Sequence, residues 1–330
     1  MLRISVILLL FALPGYAHQL PDTIPGDYIN RPEVKAFIKK LVAEQGFERD
    51  FLEALFYPVR QNEKILAKVN APAEGISWQR YRKIFITPER IRAGVAFWQQ
   101  HDSLINSISR QYGIAPEYLV AIAGVETYYG RHTGSYPVLQ SLTTLAFDFP
   151  KRGRFYKKEL VEFLLLCREE RLSPLKLHGS YAGAMGIPQF IASSYRFYAV
   201  DQDGDKVRNL WQVADALGSI ANYFKQHGWQ SGMPVAIKAQ TTGGGHLSMA
   251  DTVARKPRYT LAQLQAAGVR PQGEFKADKV VLVQMNGKTT PEYWIGSRNF
   301  YVITRYNHSP KYALAVHQLA QAIRAKRTTP

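Results

Sequence analysis

The chain has 330 residues, enough for one large domain or two to three modest ones, and its 46% hydrophobic and 12% aromatic content is ordinary for a globular protein. A single cysteine, Cys167, excludes a disulfide framework and a cysteine-based metal site. Lys and Arg exceed Asp and Glu by 42 − 26 = 16, which points to an anionic partner or to a basic surface kept for solubility; without a helix-turn-helix, zinc-finger or RNA-binding aromatic signature, nucleic acid is the weaker partner.

The N-terminus reads MLRISVILLLFALPGYAHQL. A basic start at Arg3, an apolar run over 4–13 and the exit Gly15-Tyr16-Ala17 predict a secretory signal cleaved after Ala17. The run is too short for a comfortable membrane span, so an exported, soluble, periplasmic protein is expected, with an uncleaved anchor as the lesser alternative. Residues 31–112 are predicted helical: Pro32 opens one helix that ends at Gly46, and Thr87-Pro88 opens another that runs to Gly113. A helix from Pro116 to Gly130 follows, then amphipathic helices over 154–172 and 213–228. From 232 the pattern changes. PVAIKAQ and KVVLVQM are predicted strands, Asn286-Gly287 a two-residue hairpin turn, and TPEYWIG and NFYVITRY further strands. A short helix after Thr260 and a last helix after Ser309-Pro310 complete the pattern. The expected organisation is a signal over 1–17, an N-terminal α domain over 18–103, a catalytic core over 104–231, a β domain over 232–296 and a return over 297–330. The C-terminal helix, 310–326, is a candidate to pack on the N-terminal domain. The fold class is predominantly α, of the α+β kind, with a small β-rich insertion.

Within AIAGVETYYGRHTG, residues 121–134, Leu119, Ile122, Ala123 and Glu126 share one helix face. A carboxylate on an inward stripe is costly unless it is paired or does chemistry, and a structural partner is the commoner explanation. Three further stretches bear on the choice. HGSYAGAMGIPQF, residues 178–190, combines small residues that admit a ligand with Ser180, Tyr181, Met185, Gln189 and Phe190; a helix-packing seam is the alternative. Tyr306-Asn307 is placed in a loop between a strand and the last helix. In DQDGDKVRNLWQVAD, residues 201–215, Asp201, Asp203 and Asp205 alternate as in an EF-hand, with the Val207 carbonyl at the next slot. Lys206 stands where that loop has Gly and Gln212 where it has a bidentate carboxylate, so Asp215 is the expected replacement ligand. Hard oxygen donors predict a structural Ca²⁺, with an acidic surface loop as the alternative.

GVETYYG, GSYAGAMGIPQF, DGDKVRNLW, GSIANYFKQHGW and RYN, in that order, make residues 25–325 resemble the membrane-bound lytic murein transglycosylase B family, glycoside hydrolase family 103. The resemblance implies a lysozyme-like helical core and a deep glycan groove. It makes Glu126 the sole catalytic acid/base and assigns Ser180 and Asn307 to the reacting sugar's N-acetyl group. Gln189, Phe190, Tyr223, Tyr306 and Tyr312 match groove-lining positions. Lys151 and Arg152 would face peptide carboxylates; Lys151 replaces the family's Arg, which keeps a salt contact but loses bidentate recognition. Members of the family are lipoproteins, and this chain has no cysteine near residue 17 to carry a lipid.

The activity implied is cleavage of the β-1,4 bond between N-acetylmuramic acid and N-acetylglucosamine, with closure to a 1,6-anhydromuramic acid end. Most glycosidases need a second carboxylate; Asp148 and Glu117 are nearest in sequence and match no catalytic position. No cofactor is expected for catalysis. The expected partners are peptidoglycan strands and other cell-wall enzymes, and a monomer is expected. A water-using muramidase and a non-catalytic murein-binding scaffold are the competing readings.

Overall fold

A computed structural model of the chain describes residues 24–70, 76–287 and 290–328; the candidate signal over 1–17 lies outside them. The described residues fall into two compact units, one ending at Gln61 and one starting at Asn62. The first holds the helices Pro32–Gln45 and Arg49–Phe56. Tyr28, Val34, Ile38, Leu41, Leu52 and Phe56 form its core. Gly46 ends the first helix in the left-handed conformation, at φ 64°.

The second unit is built around the helix Pro116–Thr127, in which only Pro116 and Glu126 escape full burial. A helix that is apolar nearly all round belongs in the middle of a core. The last helix, Pro310–Thr328, packs along it and along Pro88–Gln100. Val138–Asp148 and Gly153–Glu169 form a second packed pair, and Val213–Gln226 closes on the central helix. Thr87 caps Pro88–Gln100 by accepting the Arg90 amide, as its sequence predicts.

That helix does not run to Gly113. It breaks at His101 (φ −117°, ψ 26°) and restarts as Asp102–Tyr112. Asp102 accepts hydrogen bonds from Asn106 and Arg327 in the new first turn, where a carboxylate is favoured by the helix dipole.

Residues 232–296 form a five-stranded sheet in the order 250–251, 281–285, 292–296, 236–241, 269–271. Ala239, Leu264, Val269, Phe275, Val280, Leu282, Tyr293 and Ile295 make its own apolar core. Thr260 and Gln263 complete a capping box at the helix Leu261–Ala266. The hairpin Val281–Met285 with Glu292–Gly296 is antiparallel as predicted, but Met285 pairs with Glu292, so its connection is longer than the two residues expected from Asn286-Gly287.

NFYVITRY is not a strand. It lies in the helix Arg298–Tyr306, capped by Ser297, whose hydroxyl accepts the Asn299 amide. Its aromatic and β-branched residues read as a strand, but Phe300, Val302 and Ile303 are the buried face of one helical turn, and the cap decides. Tyr306 therefore ends a helix and Asn307 is its C-terminal cap, rather than both lying in a loop after a strand.

Candidate active site

Glu126 sits in the last turn of the central helix, half-buried. The helix stops because Tyr128, Tyr129 and Gly130 are all left-handed, at φ 52°, 62° and 86°. Such a conformation costs a non-glycine residue about 1–2 kcal/mol, so something must hold the two tyrosines there. The Tyr129 hydroxyl donates to the Arg90 carbonyl at 2.8 Å. Its ring fills a slot left by two glycines: a Cβ on Gly94 would come within 2.4 Å of the hydroxyl, and one on Gly124 within 2.7 Å of the ring. The Tyr128 ring lies between the guanidinium groups of Arg90, at 5.0 Å, and Arg131, at 5.2 Å. Thr127 donates to the Ile187 carbonyl at 3.1 Å, which ties this turn to the 178–190 stretch.

The Glu126 carboxyl is pushed up to about 7 by burial, against the hydrogen bond from Tyr312, which lowers it. The Tyr312 hydroxyl donates to Glu126 Oε1 at 2.5 Å. Among the described residues no second carboxylate bears on it; burial and Tyr312 are the two influences. Glu117 lies nine residues earlier on the same helix, about 13 Å along its axis, where Arg324 pairs with it at 3.3 Å. It cannot serve as a nucleophile for the same bond.

Tyr312 opens an aromatic wall. Its ring stacks with Tyr306 at 6.3 Å, and Tyr306 meets Tyr223 at 4.9 Å and Phe190 at 5.7 Å. The Tyr306 hydroxyl donates to the Pro188 carbonyl at 2.6 Å, and that of Tyr223 to the Arg305 carbonyl at 2.6 Å. These hydroxyls are therefore committed to the backbone, and the rings act as apolar surface. Phe190, Met185, Tyr312 and Tyr223 are all buried, and Tyr306 is the half-buried ring of the group. Sequence reasoning missed Tyr81. On the helix Trp78–Phe85, it is pushed up to about 12 by burial and by the nearby Glu126 charge. Nothing local in the sequence marks it, because the proximity joins residues 45 positions apart.

The small-residue stretch is a chain of tight turns. Gly183 and Gly186 are left-handed at φ 81° and 69°, and a Cβ on Gly179 would meet the Ala184 carbonyl at 2.2 Å. Ser180 Oγ accepts the Ala184 amide at 3.0 Å and the Ala182 amide at 3.3 Å, which leaves its O–H to donate. Gln189 donates through Nε2 to the Thr133 and Gly186 carbonyls, at 3.1 and 2.9 Å, leaving its side-chain oxygen as an acceptor. Asn307 is exposed beside Tyr306. Lys151 and Arg152 are exposed, with the Arg152 guanidinium 4.2 Å from the Phe155 ring centroid. Tyr181 is half-buried next to Ser180.

In the acidic loop, Asp201, Asp203 and Asp215 offer carboxylate oxygens that all lie within 4.8 Å of one another. Asp215 is fully buried in the first turn of Val213–Gln226 and accepts the Gln202 and Asn209 amides at 2.7 and 2.6 Å. Burial raises its pKa, and repulsion from Asp203 and Asp201 adds to the rise. Asp205 does not join that group: its carboxylate accepts the Val207 amide at 2.8 Å. Lys206 takes φ 71°, supplying the left-handed turn for which an EF-hand uses Gly. Three converging hard anions suit a divalent, oxygen-seeking cation such as Ca²⁺.

The transglycosylase SLT domain family matches residues 30–321. The chain is 42% identical over 309 residues to membrane-bound lytic murein transglycosylase B of Escherichia coli (strain K12), covering 90% of this chain and 84% of that protein. E. coli lytic transglycosylase Slt35, solved in complex with calcium, superposes with a TM-score of 0.84 at 41% identity, over 93% of this chain and 97% of that one. SltB3 of Pseudomonas aeruginosa, solved in complex with NAG-anhNAM-pentapeptide, gives a TM-score of 0.78 at 32% identity, over 88% and 78%.

Proposed function

This chain belongs to the transglycosylase SLT domain family, and from that premise we propose that Glu126 is the single acid/base with which it opens glycan strands. It is a peptidoglycan lytic transglycosylase. One observation carries the mechanism: a carboxyl held near neutrality by burial, bonded to Tyr312, with no second carboxylate acting on it among the described residues.

Cleaving the glycosidic bond requires a proton for the leaving oxygen. A carboxyl at about 7 still holds that proton near neutral pH, and its conjugate base can take one back. With no protein nucleophile, the N-acetyl oxygen of the muramic acid assists departure of the leaving sugar. The Ser180 O–H and Asn307 orient that group. Glu126, now a carboxylate, removes the proton from the sugar's own C6 hydroxyl, the C6 oxygen bonds to C1 as the N-acetyl oxygen leaves it, and a 1,6-anhydromuramic end forms without consuming water. Both reacting groups belong to one ring, an intramolecular advantage worth several kcal/mol, on the order of that measured for oriented reactions. The half-buried Tyr306 and Gln189 meet the sugars, on a bed of the buried Tyr312, Tyr223, Phe190 and Met185. SltB3 has been solved with NAG-anhNAM-pentapeptide and with NAG-NAM-pentapeptide, so the anhydromuramyl end that this route forms is a ligand that a relative's structure accepts.

Ca²⁺ binds Asp201, Asp203 and Asp215 as a structural ion; that Slt35 was solved in complex with calcium supports the choice of ion. Bound there, it would neutralise the buried Asp215 and tie residues 201–209 to the next helix. The relative from E. coli is membrane-bound by name, whereas among the described residues of this chain no helix is long and apolar enough to cross a membrane. Export through the 1–17 signal to a soluble periplasmic existence is the reading proposed here, together with the domain division at 103, 231 and 296. The sheet's separate core supports the last two boundaries.

The test is product analysis of digested murein with wild type and Glu126→Gln. Anhydro ends from wild type and a loss of at least about 10²-fold in turnover, the scale of a lost general acid, with binding of murein retained, are expected. Reducing ends would favour the muramidase. Activity retained in Glu126→Gln would refute the assignment, and an inactive wild type that still binds murein would favour the scaffold.

A further inference from the structure

Beside Ser180 lies a basic-aromatic rim that the reaction itself does not use. The strand pair Tyr136–Pro137 and His178–Gly179 sets Tyr136 opposite Gly179, one residue before Ser180. From the helix Glu63–Asn70, Lys68 reaches over this pair. Its Nζ is 5.0 Å from the Tyr136 ring centroid and 5.8 Å from that of Tyr181. Tyr181 in turn lies close enough to Tyr156 for its charge to act on that hydroxyl, and the Arg152 guanidinium stands 5.6 Å from the Tyr156 ring centroid. Lys68 thus stands over the two rings next to the Gly179-Ser180 segment, and the buried Tyr156 neighbours both Tyr181 and Arg152.

Lys68 is exposed, and among the described residues no carboxylate lies within ion-pair distance of it or of Arg152. A lysine over two ring faces is partly immobilised before any ligand arrives, which lowers the entropy lost on binding. The rings also leave the ammonium's N–H groups free, because a π-face takes no conventional acceptor's place.

We propose that Lys68, held by Tyr136 and Tyr181, is a binding residue for the carboxylates of the peptide stem carried by the muramic acid, and that it makes the enzyme prefer peptide-bearing strands. This rests on the peptidoglycan reading above and extends the cationic contact expected of Lys151 and Arg152 to an element far from them in sequence. The sugar seated against Ser180 carries its stem on the lactyl group, and the rim beside Ser180 is where an anionic chain leaving that sugar would meet fixed positive charge.

The experiment compares kcat/KM on one preparation of glycan strands, either carrying peptide stems or stripped of them by an amidase, for wild type, Lys68→Met and Lys68→Arg. Lys68→Met keeps most of the apolar stem over the two rings and removes the charge. The expected result is a roughly three- to fivefold fall in the ratio of peptide-bearing to stripped kcat/KM in Lys68→Met, as for one solvent-exposed charge contact, carried by KM and erased by high salt. Lys68→Arg restores the ratio. An equal change on both substrates, an unchanged ratio, or a fall that 0.5 M salt (about a 4–5 Å screening length) leaves intact would overturn the proposal. Because total bond cleavage is scored, the ratio stands whichever product forms, and the identity of the wild-type product tests the transglycosylase reading separately.

Discussion

Replacing Tyr312 by Phe removes one hydroxyl and leaves the ring stacked on Tyr306. That hydroxyl donates to Glu126 Oε1 at 2.5 Å and holds the carboxyl lower than burial alone would. A hydrogen bond to a charged group is worth about 1.5–3 kcal/mol, and about 1.4 kcal/mol corresponds to one pH unit. Loss of the bond in a site that stays dry therefore raises Glu126 from about 7 by about one to two pH units. Since the protonated acid starts the reaction, the alkaline limb of the kcat/KM profile, which reports the free enzyme, must move upward by that amount. The assay is soluble anhydromuropeptide release from purified sacculi between pH 5 and 10 (chosen to bracket both values) in wild type and Tyr312→Phe. The maximal rate is expected to fall as well, because the carboxyl loses its orienting partner. An alkaline limb that stays put or moves down would refute the reasoning: the first outcome would mean that Glu126 is not the titrating acid, the second that water replaces the lost hydroxyl.

Two other outcomes follow from the buried ionisable groups. Chelation of the wild type should lower its melting temperature, and added Ca²⁺ should restore it, with a gain of about 2.7 kcal/mol at a hundredfold excess over Kd; Asp215→Asn should abolish the Ca²⁺ response in calorimetry. His317 is held down to about 4 by burial, with its Nδ1 2.8 Å from the Tyr118 hydroxyl. A histidine depressed in the fold keeps its stabilising contribution above the unfolded value of 6.5 and loses it as pH falls, by up to about 3 kcal/mol near pH 4. Equilibrium unfolding of wild type and His317→Gln between pH 7 and 4 checks this, since the variant should lose less stability over that window.

Much of the site could be read in the sequence because its parts are local: a glutamate in an apolar helix, turn glycines with Ser180 and Gln189, alternating aspartates. What could not be read depends on distant chain. The helix Arg298–Tyr306 reads as a strand because Phe300, Tyr301, Val302 and Ile303 favour strands; its state is decided by Ser297 as cap and by the buried Asn299, whose side chain holds the Gln230 and Met233 carbonyls at 2.8 and 2.9 Å. Lys206 departs from the EF-hand consensus, yet the backbone makes the turn at a modest conformational cost. Tyr81 and the Tyr129 slot carry no signal of their own, since each is defined by partners many residues away.

The central helix carries an ionisable group against each end, and the two are tuned in opposite directions. Near its start, Tyr118 faces His317, which burial keeps neutral above about 4. Near its end, Glu126 is kept neutral below about 7. Between those values the most buried helix of the unit has no unpaired charge at either place, and the acid is loaded. Keeping that proton costs stability as pH climbs from 4.5, where an unfolded glutamate ionises, to about 7, where the folded carboxyl ionises too: a carboxyl raised from 4.5 contributes stability that is present at low pH and fully lost once pH has passed the folded value. The left-handed Tyr128–Tyr129 turn adds its own strain at the same spot. Against both stand the Tyr129 anchor in its glycine slot, the Thr127 bond to Ile187 and the last helix packed along the central one. A group this expensive to bury survives next to that much support because the proton it keeps is the one the reaction needs.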